Sequence, residues 1–308
     1  MRSLRLRDEV LSVCVDNPAR RPEQIVGRLA RRVPNFRGKT RIAWGWKKAL
    51  ERRHRGPLLW NWPVTLPDGR RYILPAGASM TWTLAWTGEW DDQVREHILG
   101  LVRPGGLLLD VGASLGLWTV PLGRCARAIG SRVWAFEPYP SNLPFLRANV
   151  DRNGLHDIVT VQPVALGSQT TEARMPYAEA GGGNAAIIPG AETGPIVPVV
   201  RLDDLDLPGP VRFMKMDCEG YEVAVLGGGR RLVERDRPVI FGEFKHDWLT
   251  LRQQNPLGLL NWLASLDYEV YRVESHRRSS WVSETIVRLR KLHPPFDRVP
   301  TDLLLTPR

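Results

Sequence analysis

The sequence turns on LLLDVGASLGLWT, residues 107–119. A short apolar run ends in an acid, Asp110, and a turn carrying Gly112 and Gly116 follows. An unbroken apolar run is what a strand buried on both faces of a parallel sheet requires. Glycine turns between a strand and a helix bind phosphates by pointing bare N–H groups at the anion. A carboxylate at the mouth of such a turn repels a pyrophosphate. Nor is the pattern the G-x-G-x-x-G of dinucleotide folds, since an aspartate takes the first glycine position. Either the turn binds nothing, or its ligand lacks a pyrophosphate and brings positive charge.

Downstream of the turn, helix and strand alternate. LWTVPLGRCARAIG (117–130) reads as a helix, RVWAFEP (132–138) as a strand, and SNLPFLRANVDRNG (141–154) as a helix capped by Ser141. VTVQPVALG (159–167) is a third strand. AGGGNAAIIPGAETGP (180–195) is too glycine-rich for a regular element. It is a loop or irregular hairpin, and its Asn184 either contacts a bound adenine, closes over substrate, or does neither. VRFMKMDCEG (211–220) and PVIFGEF (238–244) are further strands, with YEVAVLGGGRRLVERD (221–236) as the helix between them. The helix NPLGLLNWLASLD (255–267) leads to two closing strands, YEVYRVES (268–275) and DLLLTP (302–307), separated by a basic segment. Alternating βα units predict a doubly wound, mostly parallel sheet. Ligands of such sheets sit beyond the carboxyl ends of the strands. Asp110, Glu137, Asp217 and Glu243 each end a predicted strand there.

Upstream, DEVLSVCVD (8–16), PEQIVGRLARRV (22–33) and IAWGWKKALERRHR (42–55) have helical spacing. WNWPVTLPDGRRYILP (60–75) reads as a hairpin turning at Pro67-Asp68-Gly69. TWTLAWTGEWDDQVREHILGLVRPGG (81–106) reads as one helix ending at its glycines. Residues 1–87 are thus expected to form a basic helical and hairpin extension, and 88–308 the α/β domain. Up to residue 71 there are 18 Lys+Arg against 6 Asp+Glu, a net +12, while the whole 308-residue chain carries +10. That charge is a solvated helical face, or a surface for an anionic substrate, a nucleic acid, an acidic partner or a membrane. Seven of the 12 tryptophans precede the turn: Trp44, Trp46, Trp60, Trp62, Trp82, Trp86 and Trp90. They are either core or faces for stacking on sugars or bases. Cys14, Cys125 and Cys218 are the only cysteines, with no C-x-x-C spacing. That argues against a disulfide framework or a cysteine-rich zinc site, and makes a reducing, cytoplasmic setting the expectation. No apolar run approaches the ~20 residues that span a bilayer.

Glu137 closes its strand 27 residues after Asp110. A carboxylate at that place accepts hydrogen bonds from both hydroxyls of a ribose. An acid at the turn and an acid for a ribose together suit S-adenosylmethionine, whose ammonium and sulfonium are cationic and which has no phosphate. The other reading is that both acids merely cap helices.

DVGASLG (110–116), VWAFEPYPSNLPFLRANVDRNG (133–154), VPVVRLDDL (197–205) and FMKMDCEGYEVAVLGGGRRLVERDRPVIFGEF (213–244) together resemble the FkbM-type methyltransferases. The likeness runs in order over about half the chain. Its most specific piece is K-x-D-x-E-G-x-E, here Lys215, Asp217, Glu219, Gly220 and Glu222. FRGKTRIAWGW (36–46) and DLLLTP are looser echoes. The resemblance implies a class I, Rossmann-like fold with a seven-stranded sheet, S-adenosylmethionine as cofactor, and O-methylation of a sugar or secondary metabolite. The family's first motif commonly reads D-V-G-A-N, and Ser114 stands in the place of that Asn. The expected cofactor set is Asp110, Gly112, Ser114, Gly116, Glu137, Pro138, Asn142 and Ala165.

Methyl transfer to a hydroxyl needs its proton withdrawn. Asp217, Glu243 and His246 are the candidate catalytic groups, with Lys215 as electrostatic support for Asp217 and Glu219. Alternatively Asp217, Glu219 and Glu243 share a hard cation such as Mg²⁺ that acidifies the hydroxyl. Cys218 reads as packing. Two other acceptors remain open: a peptide or amide nitrogen, and RNA, for which the basic Trp-bearing region is the support. The Asn/Asp-Pro-Pro-Tyr/Phe motif of base-amino methylation is absent after the fourth strand. The expected partners are a small-molecule or peptide substrate and, in a homodimer, a second copy of the chain.

Overall fold

The computed structural model describes residues 21–36, 38–176, 181, 187, 191–245, 249, 254–277, 285–296 and 299–308. The segment 8–16, with Cys14, lies outside them, as do Asn184 and His246. The chain divides into two compact units, one mainly of the described residues up to Asp91, the other mainly from Asp92 onward.

The first unit holds helices α1 (Pro22–Arg32) and α2 (Lys39–His54), strands β1 (Asn61–Thr65) and β2 (Arg71–Pro75), and helix α3 (Ser79–Thr87). β1 and β2 pair antiparallel, with Asn61 opposite Pro75 and Thr65 opposite Arg71. Gly69, at φ 82°, makes the turn, and its N–H donates to the Leu66 carbonyl. Trp82 is fully buried and edge-on to Trp62 at 4.9 Å, and its indole N–H donates to the Ala76 carbonyl at 2.7 Å. Gly27 of α1 lies so close that an added Cβ would sit 2.8 Å from the Trp62 ring. Trp62, Trp82 and Trp86 are therefore core, while Trp44 is exposed. The single helix expected over 81–106 is two. Gly88, at φ 75°, ends α3 with its N–H on the Leu84 carbonyl, and α4 (Asp92–Leu99) starts afresh in the second unit.

The second unit continues with β3 (Leu107–Val111), α5 (Thr119–Ala128), β4 (Arg132–Phe136), α6 (Leu143–Arg152) and β5 (Val159–Gln162). Then come three short strands, β6 (Ala165–Leu166), β7 (Thr171–Arg174) and β8 (Ile196–Val200). The chain goes on through β9 (Val211–Met216), α7 (Glu222–Gly227), α8 (Arg230–Asp236), β10 (Val239–Glu243), α9 (Pro256–Ser265), β11 (Tyr268–Arg277), β12 (Thr285–Leu292) and β13 (Asp302–Pro307). The main sheet has the order β12-β11-β13-β10-β9-β3-β4-β5. Neighbours from β10 to β5 are parallel, and β13 runs antiparallel to both β10 and β11. The centre of the sheet is thus mostly parallel, the α/β arrangement that the resemblance implies.

Four expectations need correction. The sheet has eight strands rather than seven, because the basic segment TIVRLRKL forms edge strand β12. Its Arg288 and Arg290 alternate outward, as charged residues on a protected edge do. The third predicted strand is broken at Pro163, after which β6 joins β8 and β7 in a separate three-stranded sheet. The helix expected over 221–236 is interrupted at its glycine run and becomes α7 and α8. The N-cap of α6 is Asn142, not Ser141.

The order reverses at β3, whose helix leads to β4 on one side while β9 lies on the other. β3 is buried along its whole length. Its Asp110 stands opposite Ala135 of β4 and Lys215 of β9. A core of Leu107, Leu109, Val111, Met214, Val225 and Ile240 packs beneath.

Because Trp82 fills the centre of the first unit, Trp82→Ala should lower stability by about 3–5 kcal/mol. Urea denaturation followed by tryptophan fluorescence would measure it. A loss under about 1 kcal/mol would mean that this aromatic centre does not hold the unit together.

Candidate functional site

The turn after β3 is held almost entirely by its own protein. The N–H groups of Gly112 and Ala113 both donate to the Phe136 carbonyl, and that of Gly116 to the Ala113 carbonyl. The Ser114 N–H donates to Glu137 Oε2 at 2.7 Å. Carbonyls are pinned as well: Lys215 Nζ donates to Gly112 O at 3.1 Å, Asn149 Nδ2 to Leu115 O at 2.8 Å, and Arg95 to Leu117 O at 3.3 Å. Four N–H groups that a phosphate would need are therefore already engaged. Gly112, at φ 78°, is required sterically, since a Cβ there would lie 2.0 Å from the Asp217 carbonyl. Ser114 has φ 50°, the left-handed region that Asn tolerates better than Ser. That gives a backbone reason for the Asn of the resembled motif.

Asp110 differs from its sequence reading. It is fully buried, with Oδ2 accepting from Thr119 Oγ1 at 2.6 Å and Oδ1 3.4 Å from Lys215 Nζ. Its countercharge is internal. Burial alone would lower the Lys215 ammonium, but Asp110 and Asp217 raise it on balance. Lys215 thus serves Asp110 first and reaches Asp217 only at 4.0 Å. It forms no pair with Glu219 among the described contacts.

Glu137 directly follows β4 and is almost wholly buried. Oε2 takes the Ser114 N–H and Oε1 takes the Tyr139 N–H at 2.8 Å, and the Asn142 side chain also bonds to it. Burial pushes this carboxyl up to about 7 against those hydrogen bonds. Pro138 is half-buried beside it. Ala165 lies in β6, in an apolar cluster with Tyr139, Val197 and Val199.

The K-x-D-x-E-G-x-E stretch divides by role. Glu222 is buried at the start of α7, and its Oε1 receives the N–H groups of Cys218 at 2.7 Å and Gly220 at 3.3 Å. It clamps a turn in which Glu219 and Gly220 have φ 52° and 93°. Burial pushes Glu222 up to about 7 and Cys218 well above the usual thiol range, so Cys218 is inert packing. Asp217 is left part-exposed at the rim, near Glu243. Burial, then Asp217, pushes the Glu243 carboxyl up to about 7.

Lys245, absent from the sequence reading, sits between two acids, 3.1 Å from Glu243 and 3.5 Å from Glu219. Its place two residues beyond Glu243 was the available signal, since i and i+2 share a side of an extended chain. The expected metal triad is corrected accordingly. An ammonium stands between Glu219 and Glu243, and among the described residues no three His, Cys, Asp or Glu are grouped to hold a metal ion. Thr119, Asn149 and Arg95, which fix the acid and the turn, carried no sequence signal.

Among solved structures the chain is similar to an FkbM methyltransferase from Methylobacillus flagellatus, at 21% identity and TM-score 0.42, covering 74% of this chain and 53% of that one. The chain therefore spans about half the length of that relative. It is also similar to a precorrin-6y C5,15-methyltransferase from Geobacter metallireducens, at 17% identity and TM-score 0.38, covering 69% and 86%. A third is an rRNA methylase from Streptococcus thermophilus, at 11% identity and TM-score 0.38, covering 70% and 94%. No curated protein matches. The model of the methyltransferase FkbM domain matches residues 110–270, just over half of the chain and from Asp110 itself onward, and the chain belongs to that methyltransferase family.

Proposed function

We propose that the chain transfers a methyl group from S-adenosylmethionine to a hydroxyl oxygen of a sugar or another natural product. The observation that carries this reading is Glu137. It is a buried carboxylate beside the glycine turn, each oxygen accepting one backbone N–H and one of them also the Asn142 side chain, which leaves about one of its four lone-pair sites open. A ribose hydroxyl supplies the donor for the site that remains. The turn's engaged N–H groups point the same way, since they suit a nucleoside without a pyrophosphate. The residues fit this cofactor through Gly112, Ser114, Gly116, Glu137, Pro138, Asn142 and Ala165. Asp110 supports the turn from below rather than meeting the ligand's charge.

Bound there, S-adenosylmethionine supplies an electrophilic methyl on a sulfonium. The chain supplies orientation and a base. Glu243, held near 7 at the strand-end rim, is matched to withdraw a proton at neutral pH. Lys245 keeps its ionised form accessible, and Asp217 raises its proton affinity. Because Lys245 provides the local cation, the reaction needs no divalent ion. The hydroxyl acceptor rests on the family resemblance and on this base.

Three outcomes are expected. First, S-adenosylhomocysteine binding should weaken as pH falls below about 7, by at most tenfold per unit. Free Glu137 is then protonated, and binding, which favours the ionised form, must expel that proton. Calorimetry across pH would trace the curve, and Glu137→Gln should flatten and weaken it. A pH-independent wild-type affinity would remove Glu137 from the site. Second, labelled methyl transfer into a metabolite extract should survive EDTA. Glu243→Gln should cut it by about 10²-fold while leaving S-adenosylhomocysteine affinity within a few-fold, and full retained turnover would place the base elsewhere. Third, Lys215→Met strands the buried Asp110 charge and should cost about 3–5 kcal/mol in urea denaturation. Adding Asp110→Asn should return part of it.

A further inference from the structure

We propose that the first unit docks onto an anionic lipid surface, through exposed aliphatic side chains set among cations on α1 and α2. The inference is independent of the proposed chemistry. Eight large hydrophobic side chains are exposed among the described residues, and six of them lie between residues 25 and 59: Ile25, Leu29, Val33, Ile42, Trp44 and Leu59. Leu59 is 86% exposed. Three of the six, Ile25, Leu29 and Val33, form one exposed apolar stripe, the kind of surface that marks an interaction site.

On α1 and its C-cap, Ile25, Leu29 and Val33 recur every four residues and share one side. The opposite side is committed, with Gly27 under the Trp62 ring and the Arg31 guanidinium on the Ala85 carbonyl. Arg28 and Arg32 are exposed beside the apolar stripe. On α2, exposed Arg41, Lys48 and Arg52 recur at spacings of seven and four, which places them along one face, and exposed Arg55 caps the helix end. Lys48, Arg52 and Arg55 line an open hollow together with Glu51. The Glu51 charge is met by Lys47 at 2.5 Å, which leaves the hollow net positive.

Charge and side-chain type select the occupant. A second copy of this face would set cation against cation, in a region of net +12 up to residue 71. Nucleic acid takes cations and aromatic faces, but it offers no place for the aliphatic stripe of Ile25, Leu29 and Val33. A bilayer with anionic headgroups offers both partners: phosphates for Lys and Arg, and the acyl boundary for Ile, Leu and Val. The mode is peripheral, since no helix of the described residues is long and apolar enough to cross a membrane.

The test is co-sedimentation of the full chain with phosphatidylcholine vesicles, with and without phosphatidylglycerol. Binding is expected only with phosphatidylglycerol, and should weaken as salt rises. Ile25→Asp with Leu29→Asp, and separately Arg28→Glu with Arg32→Glu, should each reduce it at least about tenfold. Unchanged melting temperatures would show both variants folded, as substitutions at exposed positions should be. Absence of wild-type binding to the anionic vesicles overturns the proposal without any variant. So does binding that neither variant weakens. Single-stranded RNA bound in preference to vesicles, or a dimer that the aspartate variant dissolves, would assign the face to another occupant and equally overturn it.

Discussion

The ion pair between Asp110 and Lys215 is the constraint on which the second unit is arranged. Its two charges face each other across the parallel β3–β9 junction, both inaccessible to water. Two isolated charges there would be prohibitive, so each makes the other tolerable. Pairing is also a register lock. A slip of one residue would turn Lys215 to the other face of the sheet, leaving an aspartate and a lysine buried apart. The lock sits where the strand order reverses, which is where ligands of open α/β sheets bind. The same ammonium donates to the Gly112 carbonyl and approaches Asp217. One side chain therefore ties together the buried acid, the glycine turn and the rim acid.

That arrangement changes what the turn can hold. In a phosphate-binding turn the backbone N–H groups are left open for the anion. Here Gly112, Ala113, Ser114 and Gly116 each donate to a protein acceptor. The Ser114 bond reaches Glu137, the acid of the next strand, so the turn and that acid position each other. Glu137 carries the cost: its burial raises it far enough that it is half-protonated near neutrality. A ligand that donates hydrogen bonds to it relieves that cost, whereas a phosphate in the same place would increase it.

The strand alternation and the strand-end acids were legible because a buried parallel strand leaves a plain mark, an unbroken apolar run closed by a polar residue. What was not legible is long-range. Nothing near Asp110 announces that its countercharge lies on a strand more than a hundred residues away, and so a ligand was credited with it. Thr119 and Asn149 look like ordinary helical residues until the turn folds back over them. Lys245 reads as a charged residue leaving a strand, yet it occupies the place assigned to a metal. Local propensity also misled at Gly88 and at the 227–229 glycine run, where helical periodicity continues through residues that end a helix. Segment TIVRLRKL reads as a basic connection because of its charge, although its apolar residues alternate with arginines as an edge strand requires.

The most recognisable motif also shows that conspicuous residues and ligand contacts are different things. In K-x-D-x-E-G-x-E, Lys215 neutralises a buried acid, Gly220 supplies a left-handed backbone and Glu222 ties the turn with two N–H groups. Glu219 adopts the same left-handed conformation and meets Lys245. Only Asp217 is left part-exposed at the rim without such a duty. Spacing is rigid in such a stretch because every member must close the same tight turn. A shift of one position would strand a buried carboxylate or a buried ammonium. The pattern is thus mostly a specification for building the rim. It leaves Asp217 exposed beside Glu243, whose carboxyl is raised first by burial and then by that acid.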